Sequence, residues 1–382
     1  MTDTNKPEAG RDRETMVGRL LLLGFGLGAL SFLVAIDRTD WFSIQPATGT
    51  SIAMAAASDS LRDKGNAFDG TVGAGEVVRI FTGAALPPGT DTVLVQEEAR
   101  RDGETLHLDG EGPPHLGRNV RRRGLDFAEG DTLVATGERL TPARLAVAAT
   151  GGADRVTVAR PVRVALAATG DELSEPGRAG PDDLPESNRL LLRTLLADLP
   201  VEIVDLGILP DRLDALTHAF ATVEADVLVT TGGASVGDHD LVRPALEAAG
   251  YALDFWRIAL RPGKPMLAGR RGDQLAVVGL PGNPVSAFVT ALLFVRPLVA
   301  HLAHAADPFP RTATALLGED LPANGPRTDY LRAALIDGRV RVAAIQDSSM
   351  LMTLARSTCL VVRAPHAAAA HAGDSAEILM IA

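Results

Sequence analysis

A single cysteine, Cys359, stands in 382 residues, so the chain builds neither an internal disulfide nor a multi-cysteine zinc cluster. That usage fits a reducing compartment and predicts a cytoplasmic protein. Between Thr358 and Leu360 the cysteine itself reads as a small buried hydrophobe. Positive charge is also short: 37 Lys and Arg face 48 Asp and Glu, a net charge of -11. Proteins that hold nucleic acid neutralise phosphates with a basic surface, so that class is excluded. An anionic ligand must be met by a local site instead. The histidines offer no metal centre, because His301 and His304 lie on an apolar segment without a third ligand nearby.

With 46% hydrophobic residues the chain can bury several cores, and its length suggests two to four domains. Residues 20–36 form an uncharged run behind Arg11, Arg13 and Arg19, the outline of a signal region or short membrane anchor. Gly24, Gly26 and Gly28 weaken it as a helix and no small-residue cleavage pattern follows. Membrane contact through residues 20–36 is therefore the less favoured reading, behind a buried or poorly specified segment. Residues 41–66 show no sustained period and read as irregular. Short strands are predicted at 76–81, 91–96 and, after a turn at Asp102-Gly103, 105–108. Residues 119–126 predict another edge strand, with Arg121, Arg122 and Arg123 solvated. Thr141 starts a helix with Pro142 at its first position that continues to a stop at Gly151-Gly152.

Strands at 162–168, 201–206, 226–231 and 275–279 then alternate with helices at 189–199, 211–223, 241–249 and from Pro284. This is the pattern of a doubly wound, mostly parallel α/β sheet, in which ligands bind at the carboxyl ends of the strands. Strands at 330–336, 339–345, 360–362 and 377–381 predict a small C-terminal β-barrel-like domain. The resulting division is an atypical N-terminal segment (1–66), an upstream β-rich domain (67–138), a connecting helical segment (139–160), the α/β domain (161–305) and the C-terminal β domain (306–382).

Three glycine and proline loops cluster at the strand ends of the α/β domain. In Thr230-Thr-Gly-Gly-Ala-Ser-Val-Gly-Asp-His-Asp240, Gly232-Gly233 allows close backbone approach, Ser235 brings a hydroxyl and Gly237 a second tight turn. Asp240 is placed to cap the next helix, leaving Asp238 freer for a magnesium ion. Arg261-Pro-Gly-Lys-Pro265 sets two cations on a stiffened backbone, which favours oxyanions. In Gly279-Leu-Pro-Gly-Asn-Pro-Val-Ser286, Asn283 can cap a helix whose start follows Pro281-Gly282 directly after a buried strand, where a phosphate profits from the helix dipole. Thr169-Gly170-Asp171-Glu172 follows the first strand, and Glu186-Ser-Asn-Arg189 precedes its helix with Ser187 or Asn188 as cap. Carboxylates at Asp171, Glu172 and Glu186 suit a site that also holds a divalent cation or hydrogen-bonds a heterocycle.

Those motifs, in that order, resemble the molybdopterin molybdenumtransferase family, the MoeA or gephyrin E-domain type. Arg79-Ile-Phe-Thr-Gly-Ala-Ala-Leu-Pro87 and Asp91-Thr-Val-Leu-Val-Gln-Glu97 match its upstream β domain, and the likeness runs from about Phe68 to the C-terminus. The resemblance implies a dimer that binds adenylylated molybdopterin and molybdate and uses Mg2+ to release AMP as molybdenum enters the dithiolene. It implies that Gly232, Gly233, Ser235, Gly237, Pro281, Gly282, Asn283 and Ser286 cradle the pterin phosphates, with Thr169, Gly170, Asn188, Arg189 and Thr231 beside them. Arg261 and Lys264 would attract molybdate. Thr82, Asp126, Asp171 and Glu186 would line the cleft, the first two from the β domain against a second subunit. Asp238 and Asp240 are the metal-side candidates, and Ser348 and Ser349 belong to a loop that closes on the site.

The N-terminus departs from the family, whose Ser-Ala-Met-Asp-Gly-Tyr-Ala motif carries an aspartate associated with metal insertion. Here the nearest string is Ser51-Ile-Ala-Met-Ala-Ala-Ala57, with Ala55 in the aspartate's place. Besides the leading enzyme, two readings compete: a catalytically impaired relative that binds molybdopterin or a partner protein, and an adenylyltransferase or nucleotide hydrolase on the same α/β domain. The flanking β domains count against the last.

Overall fold

The computed structural model describes residues 42–43, 53–55, 70–80, 82–233, 241–273 and 275–381, so the apolar run at 20–36 lies outside the described residues. The chain divides into two compact units, Met1–Asp131 and Thr132–Ala382.

In the first unit, Arg79–Ile80, Ala53–Ala55 and Val93–Leu94 form one small sheet, backed by Val72 and Val78. Glu76–Val77, Phe42–Ser43, Thr105–Leu108 and Ala99–Asp102 form another. The strand expected at 76–81 is thus split between two sheets. Phe42–Ser43 and Ala53–Ala55 fall where irregular chain was expected; strands this short carry no readable period. No edge strand forms at 119–126. Gly117, Asn119 and Gly124 take φ of 79°, 60° and 79°, and these left-handed breaks interrupt any extended run. Arg121, Arg122 and Arg123 are exposed, as expected.

The second unit opens with helix α1 (Pro142–Thr150), capped by Thr141, whose side chain accepts from Arg144 N. The α/β domain follows as β1 (Val162–Thr169), α2 (Asn188–Leu196), β2 (Val201–Leu209), α3 (Leu213–Thr222), β3 (Val227–Thr231), α4 (Val242–Ala248), β4 (Ala252–Arg257), β5 (Leu260–Arg261), β6 (Pro265–Arg271) and β7 (Leu275–Leu280). Its long closing helix comprises α5 (Pro284–Thr290), a π-helical turn (Ala291–Val295) and α6 (Arg296–Leu302). The sheet order is β2-β1-β3-β7-β6-β4, parallel through the first four and antiparallel at β6 and β4. Side chains alternate as a two-residue period requires: Val164 and Leu166 join one core with Leu192, Leu196 and Val295, while Ala165 joins the other with Leu216, Phe220 and Leu246. Helices therefore cover both faces, the doubly wound arrangement. The apolar stretch Pro284–Leu302 is long enough to cross a membrane, but it is mostly buried as a core helix.

β8 (Thr312–Leu317), β9 (Thr328–Ile336), β10 (Arg339–Val342), α7 (Leu351–Ala355), β11 (Cys359–Arg363) and β12 (Ser375–Met380) complete the chain. β9 pairs with both β10 and β11, and the order β9-β10-β8-β12-β11 closes on itself as a small barrel. Cys359 is fully buried in its core, where burial pushes the thiol pKa up. Leu354, Leu360 and Leu379 pack the barrel against Val285, Val289 and Leu292 of the closing helix. β5 pairs in parallel with the start of β9, fastening the Arg261-Pro-Gly-Lys-Pro265 loop to the barrel.

Candidate functional site

β1, β3 and β7 end side by side, because Thr231 is in register with Ala168 on one side and Leu280 on the other. Thr169-Gly170, Gly232-Gly233 and Pro281-Gly282 consequently leave the sheet together. Gly232 takes φ 87°, and a Cβ there would lie 2.4 Å from the Thr169 carbonyl oxygen; on Gly233 it would lie 2.2 Å from Val242 Cγ2. The fold itself demands glycine at both positions. Gly282 is different, since a Cβ there meets nothing closer than Gly232 Cα at 3.6 Å.

Around this junction are buried polar atoms with no hydrogen-bond partner among the described residues: Thr169 Oγ1, Thr230 Oγ1, Thr231 Oγ1 and Asn188 Oδ1. Each unpaired buried group costs on the order of 1–3 kcal/mol, so such atoms call for a polar partner. Asn188 is tied to the junction, its Nδ2 donating to Gly282 O at 2.7 Å. Ser235, Gly237, Asp238 and Asp240 lie outside the described residues. Leu241 occupies the N-cap position of α4 and makes no side-chain cap bond.

Asn283 occupies the N-cap position of α5, yet its side chain does not cap. Instead Nδ2 donates to Ser348 Oγ at 2.9 Å, and the first-turn Val285 N donates to Ser348 O at 3.1 Å. The loop before α7 supplies the cap that Asn283 was expected to give. Neighbouring Ser349 bonds inward, with both N and Oγ donating to Asp347 Oδ1. Gly263 presses on the same helix, for a Cβ there would be 2.5 Å from Thr290 Cγ2. Arg261 is half-exposed and pairs with buried Asp329 at 3.1 Å, while exposed Lys264 makes no ion pair among the described residues. Ser286 is buried in the first turn.

Two expectations at α2 are corrected. Ser187 makes no side-chain cap bond; Glu186 Oε1 accepts from Asn188 N at 2.6 Å and Arg189 N at 3.1 Å in its stead. Arg189 does not present its guanidinium to a ligand. It is buried and bonded to Glu186, Asp205 and Glu175. Asp171 is exposed and accepts from Asp211 N at 3.0 Å; burial, then Asp171 and Glu172, raise the Asp211 pKa. Among the described residues no three His, Cys, Asp or Glu side chains gather to hold a metal ion. Thr82 and Asp126 are exposed residues of the first unit.

Sequence reasoning missed Arg332, which is 1% exposed and grips the Ser348 loop from the face of β9 opposite Leu331 and Ala333 of the barrel core. Its Nη1 donates to Asp347 O at 2.6 Å and its Nε to Gln346 Oε1 at 3.2 Å. An arginine amid the apolar residues of β9 was the available signal, because an arginine is seldom buried without partners. A cavity of about 2160 Å³ lies elsewhere, at the amino ends of β1 and β3 beside Val162 and Asp226.

Family models match three stretches: MoeA N-terminal region (domain I and II) at residues 39–152, probable molybdopterin binding domain at 165–301, and MoeA C-terminal region (domain IV) at 314–381. The first begins ahead of Phe68, so the likeness reaches further toward the N-terminus than the motifs do. The molybdopterin molybdenumtransferase of Haemophilus influenzae is 35% identical over 327 residues, 82% of this chain and 79% of the relative. That of a Nostoc species is 32% identical over 305 residues, 76% and 69% respectively. The crystal structure of a molybdopterin biosynthesis MoeA protein from Pyrococcus horikoshii shares the fold, with a TM-score of 0.68 at 21% identity over 92% of this chain and 86% of that one.

Proposed function

Since this chain belongs to the molybdopterin molybdenumtransferase (MoeA) family and is an enzyme of molybdenum cofactor biosynthesis, we propose that its reaction centre lies at the carboxyl ends of β1, β3 and β7. There it inserts molybdate into adenylylated molybdopterin and releases AMP. The observation that carries this placement is the set of buried atoms on Thr169, Thr231 and Asn188, around Gly232 and Gly282, that have no hydrogen-bond partner among the described residues.

Cleavage of the phosphoanhydride needs positioning and charge neutralisation more than a side-chain nucleophile. The backbone at Gly232, Gly233, Pro281 and Gly282, with Ser235, Gly237, Asn283 and Ser286, receives the phosphates near the start of α5. Lys264 is the cation for molybdate, because Arg261 is already held by Asp329. Thr82 and Asp126, contributed by the β domain of a second subunit, and Asp171 line the cleft of a homodimer. Glu186 acts by holding α2. For magnesium the described carboxylates do not form a ready site. An ion here would take its oxygens chiefly from phosphate and water, as magnesium commonly does. The cytoplasm is the compartment that suits a chain with one buried cysteine.

The test is AMP release by the purified chain given adenylylated molybdopterin, magnesium and increasing molybdate. Lys264→Ala is expected to raise the molybdate concentration for half-maximal release about tenfold, the loss of roughly one charge-assisted contact. An unchanged molybdate dependence in that variant removes Lys264 from the site, and molybdate-independent AMP release contradicts the insertion reading.

A further inference from the structure

The start of α2 is held from behind by charges that the reaction does not use. Arg189 donates from Nε to Glu186 Oε2 at 3.1 Å, from Nη1 to Asp205 Oδ1 at 2.7 Å, and from Nη2 to Glu175. Glu186, 4% exposed, is the inner end of this set and accepts the first N–H groups of the helix. A buried carboxylate keeps its charge only while its cation stays in place. Asp205 is the outer end, on β2 at a bulge: one oxygen accepts from Arg189 and Gly207 N, the other from Arg193. Burial opposes its ionisation, but the bonds from Arg189 and Gly207 hold its carboxyl below the ordinary value. What the set keeps still is Asn188, 8% exposed, with Nδ2 on Gly282 O and Oδ1 lacking a partner among the described residues.

We propose that Asp205 is a positioning residue of this enzyme: acting through Arg189 and Glu186, it fixes the Asn188 side chain so that Oδ1 accepts a hydrogen-bond donor of the ligand bound at Gly282. A free Asn188 Oδ1 is an acceptor only, so the group it meets is an N–H or O–H donor of the ligand rather than an ionised phosphate oxygen. The inference rests on the ligand placement given above and adds to it a residue that touches no ligand.

Dissociation constants for adenylylated molybdopterin, measured on the full chain, test it through Asp205→Ala, Asn188→Ala and their combination. Each single substitution is expected to weaken binding about tenfold. The combination is expected to bind no more weakly than Asn188→Ala alone, because residues acting through one side chain are not additive. Asp205→Asn, which keeps an acceptor for Arg189, recovers part of the loss. Arg193→Ala, which removes only the half-exposed partner, binds as wild type. Additive losses overturn the proposal, as does an Asp205→Ala protein that melts earlier yet binds normally. If Asp205→Ala does not fold, Asp205→Asn takes its place in the same cycle. Wild type that does not bind the ligand sinks the ligand placement and this proposal with it, whereas binding with an additive cycle sinks this proposal alone.

Discussion

Gly232 and Gly282 follow neighbouring strands, yet the chain needs them for different reasons. Alanine at Gly232 forces a Cβ onto the Thr169 carbonyl at a left-handed φ, which costs about 1–3 kcal/mol or more. Alanine at Gly282 meets only an ordinary contact in the free protein. Gly232→Ala is expected to lower the melting temperature clearly. Gly282→Ala is expected to leave it unchanged or slightly raised while weakening adenylylated molybdopterin binding about tenfold, since glycine there serves the ligand's approach. Thermal unfolding read beside equilibrium binding separates the two. Asp198 gives a pH prediction. The hydrogen bond from Arg296, with Arg139 helping and burial opposing, lowers its pKa from 3.8 to about 2. A carboxyl lowered by folding contributes stability above its unfolded value, and the contribution is lost as pH falls through the folded one. The melting temperature of the wild type should therefore fall more steeply than that of Asp198→Asn between about pH 4 and about pH 2. Individual residues were legible where one loop explains them, as at Gly232 and Gly233. Arg189, on helix α2, was not, because Asp205, which takes its guanidinium, is on strand β2 and no local pattern joins them.

The start of α5 shows what an element borrows from its surroundings. Its sequence has the asparagine and proline of a self-capped helix, but Asn283 is drawn to Ser348 and the Ser348 carbonyl receives Val285 N. Asn283→Ala and Ser348→Ala are each expected to cost about 0.5–1.5 kcal/mol, the net worth of one hydrogen bond. The double variant should cost no more than either, because both remove the same bond. Chemical denaturation of the four proteins checks this, and additive losses would show that Asn283 caps the helix after all. The parallel strands were legible because each is an apolar run between helices. The antiparallel β4 and β6 were not, since Pro265, Gly269, Arg270 and Arg271 dilute the apolar signal of β6. At residues 119–126 the residue types suggested a strand and the left-handed turns overruled them.

For the molecule as a whole, function was more legible than architecture. The chemistry lies in short loops whose order survives in the sequence, while the pairing of β5 with the barrel and the grip of Arg332 on the Ser348 loop join distant parts of the chain. At this scale the homodimer is a direct prediction: sedimentation equilibrium is expected to give twice the chain mass, and a monomer at assay concentrations would remove the second subunit from the site. The central claim is that the chain couples AMP release to molybdenum insertion. It is tested most directly by incubating the purified protein with adenylylated molybdopterin, magnesium and molybdate, then measuring AMP and the cofactor able to activate a molybdenum-free nitrate reductase. Both are expected to form together and in equal amounts, and neither without molybdate. Tight binding of adenylylated molybdopterin with no AMP and no active cofactor would contradict it.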